Sequence, residues 1–322
     1  MWQTPGWRSG PLLIGTSLAL TVLVATGCER EDWKPETLAY DSVATNEAEL
    51  GHGRDAYKTY CVGCHGEAGD GRGPAARFLN PRPRDFRSGI IKFAAVEAGQ
   101  LPYDEDLVRV IRRGLHGTSM PAWRFLPERS VVSVVQYVKS FAADVYAEDE
   151  PHARIVPDLD PWLDSDEADA IEEGAAVFHA LALCNNCHPS YLTKQEIYEL
   201  SKKKYQYGVT TFREDMYHGV VTETDWGDEL RAPDFLTATL KNGTAPEDLY
   251  RVIVSGVGGT AMPTWRGALP EEQLWALVHF VKSIADKRGT ADGAALQHKL
   301  AAQPPFQAPA PAAAAAATEE ES

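Results

Sequence analysis

Two pentapeptides, Cys61-Val62-Gly63-Cys64-His65 and Cys184-Asn185-Asn186-Cys187-His188, constrain this 322-residue chain more than any other feature. Each is followed, well downstream, by the same pattern Gly-Thr-x-Met-Pro-x-Trp, at Gly117 to Trp123 and at Gly259 to Trp265. A CxxCH run offers two thiols for thioethers to the vinyl groups of a haem, and an imidazole nitrogen for one side of its iron. The downstream Met then supplies sulfur to the opposite side. The chain therefore reads as a carrier of two covalently bound haem c groups, and its fold has to return a distant Met to each CxxCH.

Cysteine use agrees with this. Of five cysteines, four sit in the pentapeptides and only Cys28 is left over, so none remains for a structural disulfide pair. A bare CxxC also suits a redox dithiol, and two of them a zinc site. Neither chemistry needs the His that directly follows both pairs, or the repeated Met context. Apart from the initiator, the methionines are Met120, Met216 and Met262. Met216 lies in no such context and reads as packing, with a fallback role as sixth ligand in the second half; His218 would there give a bis-His centre instead. His116, four residues before Met120, is the weaker ligand candidate of the first half. The cofactor-binding set is thus Cys61, Cys64, His65 and Met120, then Cys184, Cys187, His188 and Met262, with His65, Met120, His188 and Met262 on the metal. No catalytic residue is assigned.

The apolar periodicity is helical and repeats between the halves. Val131, Val134, Val135, Val138 and Phe141 form one stripe; Leu274, Leu277, Val278, Val281 and Ile284 form its counterpart. Both follow the i, i+3, i+4, i+7 spacing of an amphipathic helix. Each is preceded by Leu-Pro-Glu, which predicts Pro in the first turn and acid at the positive helix end. Leu107, Val110 and Ile111 match Leu249, Val252 and Ile253, closing at Gly114 and Gly256 as C-terminal caps. First helices are expected from Asn46 and Ser165. Thr193 and Glu196 spell a capping box for a helix bearing Lys202-Lys203-Lys204, a run that reads as a solvated face before a docking patch.

These residues resemble tandem class I cytochrome c domains, with an N-terminal CxxCH and a C-terminal Met ligand, across nearly all of residues 45 to 287. The likeness includes Gly66, the Gly69-Asp70-Gly71-Arg72-Gly73-Pro74 loop and Met120-Pro121. Domain two departs from it, with Pro189 where Gly66 stands and no Gly-Asp-Gly loop. The resemblance implies an all-α fold of two cytochrome c-like domains, each around one haem. It implies that Gly53 with Tyr57, and Gly174 with Phe178, let first and last helices cross closely, although two extra residues separate Phe178 from its CxxCH. It also implies a proline carbonyl accepting the proximal His N–H: Pro83, with Pro74 competing, in domain one and Pro233 in domain two. Trp123 and Trp265 are expected to pack near the haems.

The expected organisation is a lipoprotein-type signal peptide (1–27), a tether (28–44), domain one (45–146), an acidic Pro-rich linker (147–164), domain two (165–287) and a disordered Ala/Pro/Glu tail (288–322). The apolar run from Leu12 to Ala25 is short for a membrane span, and Thr26-Gly27-Cys28 resembles a lipobox with Cys28 as the lipidation site. That places the chain on the periplasmic side of a bacterial membrane by an N-terminal lipid anchor; an uncleaved N-terminal membrane anchor or a soluble periplasmic product are the alternatives. A formal charge of −15 argues against nucleic acid and for a redox protein donor and acceptor, with a basic docking face among them or within a membrane respiratory complex. A His/Met pair fills both axial positions, which suits electron transfer between respiratory partners. The alternative is a di-haem peroxidase with one site that opens.

Overall fold

The computed structural model describes residues 47–148 and 152–307. The segment expected to be a signal peptide, Cys28, the expected tether, Asn46, part of the linker and residues 308–322 lie outside the described residues. Domain one contains α1 (Glu47–Tyr60), α2 (Val62–His65), α3 (Asp104–Arg113), α4 (Glu128–Lys139) and α5 (Ala143–Glu148). Domain two contains α6 (Glu167–Ala176), α7 (Lys194–Tyr205), strands β1 (Val221–Glu223) and β2 (Glu229–Arg231), α8 (Pro246–Ser255), α9 (Glu271–Ala285) and α10 (Ala291–Ala301). The fold is all-α apart from the antiparallel hairpin, in which Thr222 faces Leu230.

The paired stripes become the two cores. Val131, Val134, Val135 and Val138 of α4 are buried, as are Leu274, Leu277, Val278, Val281 and Ile284 of α9. Each such side chain contributes on the order of 1.5–3 kcal/mol on full burial. Glycine sets the distance at which the first and last helices cross. A Cβ on Gly53 of α1 would lie 2.0 Å from the Ser133 carbonyl oxygen, and one on Gly174 of α6 would lie 1.9 Å from that of Ala276. Tyr57 and Phe178 fill the adjacent turns, both buried.

The two extra residues before the second CxxCH do not disturb this crossing. The end of α6 widens into a π-helical turn over Val177–Leu181, and Leu183 takes a left-handed φ of 52°. A π-turn adds a residue without breaking the helix axis. His179 braces the turn: its Nδ1 bonds the Ala175 carbonyl at 2.8 Å, and its Nε2 accepts from Tyr191 N–H at 3.2 Å.

Several expectations need correction. Pro127 and Pro270 are N-caps, with ψ of 147° and 153°, rather than first-turn residues; the helical residues begin at the following Glu. The N-cap of α6 is Asp166, whose carboxylate accepts from Ala168 N–H, and not Ser165. The acidic Pro-rich run, by contrast, keeps its place between the domains and hugs their surfaces where it is described: Ile155 is buried and its N–H bonds the Ala95 carbonyl at 2.7 Å, while Trp162 Nε1 donates to Glu272 and His279 meets Asp160. Within the tail expected to be disordered from 288, residues Ala291–Ala301 instead form α10. Its Thr290 caps the helix, Leu296 packs against the domain-two core and Leu300 is buried. Gln303 then accepts from Lys194 N–H and donates to Tyr217. Composition alone hides such a helix because its few apolar residues find their partners on domain two.

The two domains meet through matching segments. His116 N–H donates to the Lys241 carbonyl at 2.9 Å, and Gly258 N–H donates to the Lys92 carbonyl at 3.2 Å. Counting from the paired caps Gly114 and Gly256, His116 corresponds to Gly258; counting from Phe86 and Phe235, Lys92 corresponds to Lys241. The contact is therefore reciprocal, like the isologous face of a twofold dimer, but built within one chain. Arg113 and Asp248 add a bidentate pair at 2.7 and 2.6 Å across the same junction.

Candidate haem sites

α1 ends at Tyr60 and delivers Cys61, Cys64 and His65 to one wall of a cavity, while the loop after α3 delivers Met120 and Trp123 to another. Domain two repeats this with Cys184, Cys187 and His188 against Met262 and Trp265, and the two crevices join into one continuous cavity. All eight residues named from the sequence line it. Met216 does not: it is buried elsewhere, under Ser190, whose N–H bonds its carbonyl. Neither His218 nor His116 lines the cavity.

Each proximal imidazole is oriented by a backbone carbonyl. His65 Nδ1 bonds the Arg84 carbonyl at 3.1 Å and His188 Nδ1 bonds the Pro233 carbonyl at 3.1 Å. A carbonyl only accepts, so Nδ1 carries the proton and Nε2 keeps its lone pair for a metal. Burial holds both imidazoles below the usual histidine range, partly offset by that hydrogen bond. Phe86 stacks on His65 at 4.6 Å between centroids, and Phe235 lies 5.0 Å from His188. In domain two the acceptor is the expected Pro233. In domain one it is Arg84, and not Pro83 or Pro74: aligned on the following Asp-Phe, Arg84 occupies the place of Pro233.

The Met loops are the same device twice. Thr118 Oγ1 donates to the Leu115 carbonyl and accepts from Met120 N–H at 3.1 Å, while Leu115 N–H closes on the Met120 carbonyl. Thr260, Val257 and Met262 repeat each bond, with 3.3 Å for Met262 N–H. The preceding helix caps permit this only as glycine. Gly114 and Gly256 have φ of 66° and 75°, and a Cβ on either would lie 2.7 Å from the Met carbonyl oxygen. The repeated Gly, Thr and Met thus describe one rigid turn that aims a thioether sulfur into each crevice.

The CxxCH backbone is held differently in the two domains. In domain one the glycine loop folds back on it: Gly71 N–H bonds the His65 carbonyl and Gly73 N–H that of Cys64, and a Cβ on Gly73 would lie 2.5 Å from the Val62 and Gly63 carbonyls. Domain two lacks that loop and uses the insertion after His188. Val220 N–H bonds the Cys187 carbonyl at 2.8 Å, and the Arg213 guanidinium reaches the carbonyls of Asn185, His188 and His218. Sequence reasoning missed Arg213, Val220 and Arg84 because such roles belong to backbone acceptors brought close by folding.

The donor chemistry fits haem c. Burial pushes the Cys61 thiol up to about 11 and the Cys184 thiol to about 12. A redox dithiol needs a lowered thiol pKa, so these sites favour neutral thiols over an exchange-active thiolate. Among the described residues no group of three or more His, Cys, Asp or Glu is placed to hold a metal ion, which leaves a zinc cluster without its ligand set. An aromatic and aliphatic cavity carrying one imidazole and one thioether per lobe suits a flat apolar macrocycle with an axially ligated iron.

The family model described as cytochrome c oxidase, cbb3-type, subunit III matches residues 48–138 and 169–281, once in each domain. A chain in the solved reducing HAO-like protein complex of Kuenenia stuttgartiensis is similar, with a TM-score of 0.59 and 28% identity, over 77% of this chain and 98% of that one. No curated protein matches.

Proposed function

Because the chain belongs to the cytochrome c oxidase, cbb3-type, subunit III family, as two class I cytochrome c domains in tandem, we propose that it carries two haem c groups and passes electrons through them to and from membrane respiratory partners. The observation that carries this reading is the convergence, in both lobes of one cavity, of a Cys pair, a carbonyl-oriented His and a threonine-stapled Met. Cys61 and Cys64, and Cys184 and Cys187, would hold the porphyrins; His65 with Met120, and His188 with Met262, would take the iron. When bound, such a group supplies a one-electron couple whose potential a Met ligand raises. The chain's own part is to fix the ligands, keep water from the crevice and hold Nδ1 of each histidine protonated on a carbonyl.

A fixed subunit of a complex is the version we favour over a free shuttle. The matched family and the similar chain are both described as parts of complexes. A lipid anchor at Cys28, with the domains on the periplasmic side, remains part of the proposal; among the described residues no helix is long and apolar enough to cross a membrane. Mild detergent extraction tests the subunit version, since migration as a free monomer would overturn it.

Met120→Ala and Met262→Ala should each remove one Met–iron charge-transfer absorption while leaving both haems attached. An unchanged spectrum in either variant would sink that ligand assignment. The peroxidase reading requires one loop that opens, whereas both Met loops here carry the same closed hydrogen-bond set. Stoichiometric carbon monoxide binding at one ferrous haem, together with peroxide turnover, would favour it instead.

A further inference from the structure

The β1–β2 hairpin of domain two ends in a tight turn, with Thr224 N–H on the Asp228 carbonyl and Gly227 N–H on that of Thr224. The turn carries Trp226 into the junction between domains. The Arg84 guanidinium lies over its ring, 3.5 Å from the centroid, and the Lys92 ammonium lies 5.7 Å from it. The Met262 loop packs against the same ring: a Cβ on Gly259 would lie 2.0 Å from it, and Asp225 N–H bonds the Gly259 carbonyl. Arg82 faces Asp228 at 3.9 Å beside this stack.

Arg84 is also the residue whose carbonyl orients His65, and its side chain lines the cavity. Its counterpart in domain two, Pro233, carries no charge. A cation beside a redox centre disfavours the oxidised state, which holds one more positive charge, and more so where water is scarce. A planar guanidinium stacked on an indole stays put, whereas a solvated arginine would swing out and be screened.

Resting on the reading that each domain holds a His/Met haem, we propose that the Arg84–Trp226 stack is a positioning device that sets the first haem's potential above the second's. Electrons within the molecule then reside preferentially on domain one. Asp228 lies close enough to offset the Arg84 charge in part, and Lys92 stands beside it.

The test is a spectroscopic redox titration of the full-length, two-haem protein. A Met262→His variant, which lowers the second haem's potential, identifies the remaining high-potential step as the first haem. In Arg84→Gln the backbone carbonyl survives. The first-haem step should fall by about 59 mV, a tenfold change in the one-electron equilibrium, with the second moving less. Arg84→Lys should fall less, and Trp226→Ala should shift in the same direction as Arg84→Gln by releasing the guanidinium to solvent. An unchanged first-haem potential in Arg84→Gln, or equal shifts of both haems, overturns the inference. If Arg84→Gln fails to hold both haems, an unchanged first-haem potential in both Arg84→Lys and Trp226→Ala overturns it. Fewer than two haems in the unaltered protein would instead defeat the underlying site reading.

Discussion

His179 has no exposed surface, and both of its ring nitrogens are engaged by the backbone, one as donor and one as acceptor. Burial lowers its folded pKa to about 4, against 6.5 for the free side chain. Between those values the unfolded chain binds a proton that the folded domain does not, so stability falls as the pH drops from about 6.5 towards 4 and is fully retained above it. The loss amounts to about 3 kcal/mol by pH 4. His179→Gln, which keeps an acceptor for Tyr191 N–H, should flatten this part of the pH dependence. Urea midpoints for the second domain measured from pH 7 to 4.5 would check this, and parallel curves for both proteins would refute it.

Among the elements, the crossings of α1 with α4 and of α6 with α9 carry the tightest tolerance. Gly53→Ala or Gly174→Ala forces backbone away from backbone and should destabilise its own domain by about 1–3 kcal/mol. Thermal melts followed at each haem should show a drop of several degrees in the altered domain and none in the other. Much of this level was legible in the sequence. The valine and leucine stripes gave α4 and α9, Gly114 and Gly256 gave the caps, and Thr193 with Glu196 gave a capping box seen in α7. Lys203 and Lys204 of the basic run pair with Glu172 and Glu173 of α6, a contact the run's composition did not name. The choice of Arg84 over Pro83 was not legible, because neighbouring carbonyls differ only in where folding points them. Nor was the π-turn, since an insertion of two residues reads the same in a loop as in a widened helix. Arg213, Trp226 and α10 escaped for a related reason: their partners lie far away along the chain, where periodicity carries no signal.

At the scale of the whole molecule, the reciprocal contact makes two small domains share one largely apolar interior. Asp248 is 4% exposed and receives both nitrogens of Arg113, itself 39% exposed, along with Arg251 at 3.4 Å. Removing the acceptor charge with Asp248→Asn should weaken the junction by about 1–3 kcal/mol, below the range for a fully buried pair because Arg113 retains water. Calorimetry would then resolve two unfolding transitions where the unaltered chain shows closer coupling; an unaltered profile would mean that the pair does not hold the domains together. The proposed electron transfer rests on two porphyrins bound through Cys61 and Cys64, and through Cys184 and Cys187. The direct measurement is the haem content of denatured protein after acid-acetone extraction. Two equivalents should stay with the polypeptide, falling to one when either cysteine pair is changed to alanine. Complete extraction, or a single retained equivalent in the unaltered chain, would contradict it.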